Sequence, residues 1–259
     1  MANRFGKEPD EVFEGRQVVV YAPPFTGKTT TLDDPELKVL LGDMDHNTSP
    51  LDDAKNVTIY PIDSFEDYLE FKASVIRGYF LIDKVKYPCT DFDVIALDSF
   101  TRFEELIKSW VVRAFAPARA REIKGKFGAQ TDWDDLQRTE VEEVREWQAL
   151  TRTMGFCVIW LGHDMTMENS ITKKAERIQL ALQGKFASPK IMSAVDAIFY
   201  MHKEVDKDKN IMRGMYTQQE GIIQAEARVT LGKRAKLPTY IPVVVWSKIL
   251  PYLGWKKRV

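Results

Sequence analysis

The stretch that decides the fold is Val18-Val19-Val20-Tyr21-Ala22-Pro23-Pro24-Phe25-Thr26-Gly27-Lys28-Thr29-Thr30. Its first part is an unbroken apolar run, the pattern of a strand buried on both faces of a parallel sheet. A tight turn follows, then residues that can start a helix. Strand, loop, Gly-Lys-Thr and helix is the layout of a phosphate-binding P-loop. Such a loop turns successive backbone N–H groups inward and makes an anion nest at a helix N-terminus. Ala22, Pro23, Pro24, Phe25, Thr26, Gly27, Lys28, Thr29 and Thr30 are therefore the expected nucleotide-binding residues. Lys28 would reach the β- and γ-phosphates. The Thr29 hydroxyl would hold Mg²⁺, a cation that takes oxygen ligands. The usual pattern G-x-x-x-x-G-K-[ST] is broken at its first position by Ala22, which tolerates positive φ less readily than glycine. Pro23-Pro24 stiffens the entry to the loop.

Outward from this loop, apolar runs alternate with helical stretches. Asp33-Asp34-Pro35 cuts the first helix short. Strands are expected at Gln17 to Tyr21, Leu37 to Leu41, Val57 to Ile62, Asp93 to Ser99 and Phe156 to Leu161. Ser64-Phe65-Glu66-Asp67 reads as a capping box opening a helix to about Arg77. Further helices are expected from Phe103 to Phe115, Asp134 to Met154 and Pro189 to Val195. Residues 116–128 and 165–176 read as loops. Arg177 to Gln183, Ala197 to His202, Ile211 to Thr217 and Glu226 to Leu231 read as later strands, the middle two as a hairpin. Strand–helix alternation followed by clustered strands implies an α/β fold: a mostly parallel central sheet extended by antiparallel C-terminal strands. The chain divides into an N-terminal arm (1–15), a core domain (16–240) and an apolar and basic C-terminal tail (241–259).

The bulk numbers exclude several classes. With 37 Lys and Arg against 38 Asp and Glu, the formal net charge is −1, so any nucleic-acid contact must come from a local patch. Cys89 and Cys157 are isolated, which argues against a zinc site or a disulfide framework and fits a reducing cytoplasm. No secretory leader is read in the first residues. No apolar run approaches the roughly 18 residues a membrane span needs.

Ligands of open α/β sheets sit at the carboxyl ends of the strands, and Lys28, Asp45, Asp98 and His163 all follow such ends. Asp98, after Val-Ile-Ala-Leu, fits the acid that joins Thr29 in holding Mg²⁺; alternatively it is an ordinary strand-ending Asp. Asp45 could orient and deprotonate an attacking water, or simply cap the turn at residues 47–50. His163 could sense the γ-phosphate, or be a satisfied histidine at a strand end. Arg119, Arg121, Lys124 and Lys126, with Phe127 and Trp133 nearby, could follow a phosphodiester backbone while rings stack on bases. Lys173 and Lys174 form a second such candidate. The alternative for both is a solvated charged loop. Lys233 and Arg234 could reach a neighbouring subunit's γ-phosphate, or occupy a surface turn.

The order of these signals resembles the RecA-like recombinase ATPases, and most of all the compact phage members that act in single-strand annealing and recombination. The resemblance runs over residues 16–240. It rests on the Gly27-Lys28-Thr29 loop, on Gly42-Asp43-Met44-Asp45-His46 where that family has Asp-x-Glu, and on Leu97-Asp98-Ser99. His163 stands where recombinases place a Gln. Glu226-Ala227-Arg228-Val229 followed by Lys233 is similar to the segment whose lysine acts across the subunit interface. Segments 117–132 and 164–187 fall where the family has its two DNA-binding loops. The resemblance implies an Mg²⁺-dependent ATPase that binds ATP, assembles into a ring or filament of identical subunits, and acts on single-stranded DNA in the cytoplasm, without membrane attachment. Three other readings fit parts of the pattern: a nucleotide-binding switch with little hydrolysis, a DNA helicase or packaging motor, and, less well, a small-molecule kinase.

Overall fold

The computed structural model describes residues 15–82, 84–123, 130–169, 172–183, 187–205, 209, 211–227 and 237–257. The chain opens with β1 (Gln17–Ala22), passes through a four-residue 3-10 helix (Thr29–Leu32), and continues into β2 (Val39–Asp43) and β3 (Val57–Pro61). Helix α1 (Phe65–Arg77) leads to a hairpin of β4 (Tyr79–Ile82) and β5 (Val85–Pro88), then to β6 (Val94–Asp98). Two long helices, α2 (Phe100–Ile123) and α3 (Gln130–Met154), precede β7 (Cys157–Glu168) and β8 (Ala175–Leu180). After α4 (Ala187–Ala194) come β9 (Ala197–Val205), β10 (Ile211–Tyr216), β11 (Glu226–Ala227) and β12 (Tyr240–Ile241). The last elements are α5 (Trp246–Ile249) and a 3-10 turn over Leu250–Leu253.

The main sheet runs β12-β10-β9-β1-β7-β6-β2-β3. From β9 to β3 all neighbours are parallel. Strands β10 and β12 extend it antiparallel, β11 pairs with β9, and β8 pairs with the outer half of β7. The α/β class and the antiparallel C-terminal extension are those expected from the sequence. Strands β1, β2 and β6 have no exposed residue, because both faces of the sheet are covered. One face packs on the long helices through an aromatic cluster that includes Tyr68, Phe71, Phe103, Trp147 and Trp160.

The opposite face is closed by shorter pieces. Leu32 and Leu51 cover part of it, and Trp246, Ile249, Leu250, Leu253 and Trp255 cover the rest. The apolar C-terminal residues are thus a lid on the sheet. Asp34 anchors them: its carboxylate accepts from the Ser247 backbone N–H (2.7 Å) and the Ser247 hydroxyl (3.2 Å). Trp246 Nε1 donates to the Thr31 hydroxyl at 3.2 Å. The segment behind the P-loop therefore rests on the end of the chain.

Local signals decide several boundaries. Ser64 caps α1, accepting from the Asp67 N–H at 3.1 Å, and Gly78 ends it at φ 86°. Two expectations are corrected. Residues 116–123, read as a break, continue α2 as helix through Pro117. A proline removes one intrahelical bond, whereas the flanking Ala116, Ala118 and Ala120 are the strongest helix formers. Residues 165–176, read as a loop, largely form a hairpin, since β7 continues to Glu168 and pairs with β8.

The helical layer holds a buried ionic network. Lys72, 7% exposed, lies 2.6 Å from Glu143 and 2.7 Å from Glu146. Tyr68 donates its hydroxyl to Glu143 (2.7 Å) and accepts from Trp147 Nε1 (2.8 Å). Removing one partner of a buried pair leaves an uncompensated charge and costs about 3–5 kcal/mol. Lys72→Met is therefore expected to lower the melting temperature by roughly 10 °C. Lys72→Met combined with Glu143→Leu should recover most of that loss in thermal melts.

Candidate nucleotide-binding site

The backbone of the loop answers the question raised by Ala22. Ala22 is the last residue of β1, fully buried, and is not among the residues with positive φ. Alanine therefore carries no conformational penalty at this position. The left-handed residues of the loop are Phe25 (φ 59°) and Gly27 (φ 90°). Phe25 is 91% exposed, so its ring packs little against the rest of the chain. Pro23 lends its carbonyl to the Thr26 hydroxyl at 2.7 Å, which closes the turn. After Lys28 the chain makes only the 3-10 turn Thr29–Leu32, as Asp33-Asp34-Pro35 implied.

Four strand ends meet here. In register, Ala22 lies beside His163 and Asp43 beside Asp98. Lys28 is 6% exposed, and its ammonium donates to the carbonyls of Ala22 and Pro23, both at 3.2 Å. It also lies 3.5 Å from His163 Nδ1. Thr29 donates its hydroxyl to Asp98 Oδ2 at 2.5 Å. Asp45 is exposed, and its charge is felt at Lys28, Asp98 and His163. Residues 22–30, Asp45, Asp98 and His163 are thus brought to one sheet edge.

The electrostatics follow from burial in a crowd of carboxylates. Burial pushes the Asp98 carboxyl up to about 6, against the lowering effect of the Thr29 hydrogen bond and of Lys28; Asp45 and Asp43 push the same way as burial. Burial lowers Lys28, and Asp98, Asp164 and Asp45 partly offset it. Burial and the Lys28 charge both lower His163, which is therefore neutral at pH 7. Facing an ammonium, Nδ1 acts as the acceptor, so Nε2 carries the proton and is a donor.

Several participants had no local signal in the sequence. Arg213, on β10, donates from Nε to the Thr26 carbonyl at 3.1 Å. Asp164 accepts from the Tyr200 hydroxyl at 3.3 Å. The Tyr21 hydroxyl donates to the carbonyls of Ile178 and Gln224. The Thr101 hydroxyl accepts the His163 N–H at 3.4 Å. A cleft of about 360 Å³ opens beside the loop between Thr30, Thr31, Ile211, Met212, Pro242 and Val243.

The oxygen set fits Mg²⁺. Among the described residues no cluster of three or more acidic, Cys or His side chains forms a self-sufficient metal cage. Thr29 and Asp98 supply one hydroxyl and one carboxylate side by side. That suits a cation usually held by one or two protein oxygens together with substrate phosphates and water.

The expected nucleic-acid residues are distributed as follows. Lys173 and Lys174 are exposed in the turn joining β7 and β8, where the Lys173 N–H donates to the Asn169 carbonyl (2.9 Å). The backbones of Arg119 and Arg121 lie in the distal part of α2. α2 runs antiparallel to α3, with Lys108 over the Trp133 ring at 5.7 Å. Since α3 ends at the amino end of β7, α2 points out past the carboxyl edge of the sheet, the side on which the β7–β8 turn lies. Lys124, Lys126 and Lys233 lie outside the described residues.

Asp98 gives a test of this electrostatic picture. The unfolded carboxyl titrates near 3.8 and the folded one near 6. The unfolded chain therefore releases its proton first, and native stability falls as pH rises between those values. In metal-free buffer Asp98→Asn should stabilise the fold at pH 8, by an amount on the order of 3 kcal/mol. The gain should vanish by pH 4, as read by melts across that range.

A family model described as an AAA domain matches residues 14–229. No curated protein matches the chain. Among solved structures, the RadB recombinase is similar at 14% identity and a TM-score of 0.42, over 79% of this chain and 81% of that one. A KaiC-like protein from the hyperthermophilic archaeon Pyrococcus horikoshii is similar at 9% identity and a TM-score of 0.40, over 80% of this chain and 79% of that one. With the match covering most of its length and a Gly-Lys-Thr loop facing a buried acid across the sheet edge, the chain belongs to the AAA-domain family of P-loop ATPases.

Proposed function

We propose that this protein is a RecA-like ATPase that binds ATP with Mg²⁺ and hydrolyses it by in-line attack of water. It would use that cycle to act on single-stranded DNA in phage-type recombination or annealing, as an oligomer of identical subunits in the host cytoplasm. The observation that carries the ATPase part is the Thr29–Asp98 hydrogen bond at 2.5 Å beside the buried Lys28 ammonium. It sets a hydroxyl, a carboxylate and a cation at one sheet edge.

In this reading Lys28 and the loop amides hold the β- and γ-phosphates. Thr29 and Asp98 hold Mg²⁺, which neutralises charge on the phosphates during transfer. Asp45 orients the attacking water from the exposed side. Neutral His163 donates from Nε2 to the γ-phosphate. Lys233 reaches the site of a neighbouring subunit. Support for a DNA role is the projection of α2 and of the β7–β8 turn on the carboxyl side of the sheet, with Lys173 and Lys174 exposed. Among the described residues no helix is long and apolar enough to cross a membrane.

A second reading is a nucleotide-dependent switch with little hydrolysis. It is favoured by Asp45, an exposed carboxylate one methylene shorter than glutamate.

Steady-state phosphate release separates the two. The ATPase reading expects release that single-stranded DNA stimulates several-fold and that Lys28→Ala abolishes. Removing the Lys28 charge should also weaken ATP binding by roughly 10–100-fold. Negligible release with tight ATP binding would select the switch. DNA affinity should fall steeply between 50 and 200 mM salt if phosphate contacts release counterions; a flat salt response would remove the DNA role.

A further inference from the structure

A phosphate-binding loop ordinarily draws positive potential from its backbone amides, from its lysine and from the dipole of the helix it opens. Here the third source is nearly missing. The element after Lys28 is a 3-10 turn of four residues, and Asp33 caps its far end. Too few peptide dipoles are aligned to build a macrodipole. The surroundings are acidic as well: the charges of Asp98, Asp164 and Asp45 all act on Lys28. A nucleoside di- or triphosphate entering this edge would meet one buried ammonium against several carboxylates.

Arg213 stands where the missing positive charge is needed. Its Nε donates to the Thr26 carbonyl at 3.1 Å. The guanidinium is so close to the loop that a Cβ on Gly27 would come within 2.7 Å of Nε. Gly27 therefore permits both its own φ of 90° and the approach of the arginine. The residue is held by sheet ladders, since Arg213 is in register with Lys203 on β9, and β9 pairs directly with β1. Arg213 is exposed, forms no ion pair with any described carboxylate, and lines the cleft with Gly27, Thr30 and Thr31. In the sheet order β10 lies on one side of β1, and β7 and β6, which carry His163 and Asp98, lie on the other.

We infer that Arg213 is a phosphate-binding residue of this site, acting within its own subunit on the α- and β-phosphates in place of the helix dipole. This rests on the nucleotide-site reading above. The γ-phosphate end is assigned to Lys28, Thr29 and Asp98, and Arg213 flanks the opposite side of the loop. A guanidinium suits the task, because its remaining N–H donors can engage two phosphate oxygens at once.

The test is equilibrium binding of ATP, ADP and adenosine to the full chain carrying Arg213→Gln, Arg213→Ala or Arg213→Lys. Loss of a charge-assisted contact should weaken ATP and ADP alike by roughly 10–100-fold in the Gln and Ala variants. Adenosine binding should stay within two-fold of wild type, and Lys should recover part of the loss. ADP binding within two-fold of wild type in Arg213→Gln would overturn the assignment. So would a loss confined to ATP, or an equal loss for adenosine, which would mark a structural role for the Thr26 contact. If Arg213→Ala fails to fold, the Gln and Lys pair decides, because both keep a side chain that can donate to the Thr26 carbonyl. A wild-type chain that binds neither ATP nor ADP would overturn the nucleotide site itself, and this role with it.

Discussion

The arrangement of the site depends on one buried ammonium. Lys28 is 6% exposed, and the strand ends around it bring Asp43 and Asp98, which are 5% and 7% exposed. Burying a carboxylate without a counter-charge is costly, and a group in that position responds by holding its proton. Asp98 shows the compromise: burial drives it up to about 6, while the Thr29 hydrogen bond and Lys28 pull it down. The lysine is in turn held by the carbonyls of Ala22 and Pro23. The loop and the neighbouring strand ends therefore share one charge balance.

The lower layer of the molecule explains how such a short turn after Lys28 stays in place. A long helix would cover its face of the sheet by itself. Four residues cannot, so the end of the chain covers it instead, with Trp246, Leu250 and Leu253 packed under the strands. The price of the short helix is a set of side-chain ties: Asp34 to Ser247, and Trp246 to Thr31. These couple the C-terminal segment to the loop that follows Lys28. The antiparallel strands do related work from the side, placing Arg213 against Thr26.

What could be read from sequence divides along the range of the interactions involved. Unbroken apolar runs gave β1, β6 and the first half of β7, because burial on both faces leaves no alternation to misread. The capping box at Ser64 is a local hydrogen bond, so three residues carry it. β2 was expected at Leu37 to Leu41 but lies at Val39–Asp43, since its register is set by pairing with β6 and β3. The outer half of β7 mixes polar residues with two methionines and runs from half-buried to exposed, and its distant partner β8 makes it a strand. Arg213 is invisible for the same reason: nothing near it in sequence says that β10 lies beside β9, and β9 beside β1. The Trp246 segment reads as an apolar tail until one knows which sheet face the short turn leaves bare.

His163 marks the point where β7 changes partners. Up to this residue β7 pairs with β1, in register with the loop-bearing strand; from Asp164 onward it pairs with β8. The same residue is bonded in three directions: its N–H to Thr101 at the start of α2, its carbonyl to the Ala181 N–H after β8, and its ring to Lys28. The next residue, Asp164, takes the Tyr200 hydroxyl, and Tyr21, in register with Tyr200 on the neighbouring strand, bonds the carbonyls of Ile178 and Gln224. The groups beside Lys28 are thus tied by hydrogen bonds to α2, β8 and the segment before β11. Those elements lead to the helical pair and the hairpin turn on the carboxyl side of the sheet, so the part of the molecule that would feel the phosphates and the parts that project from it share one short set of hydrogen bonds.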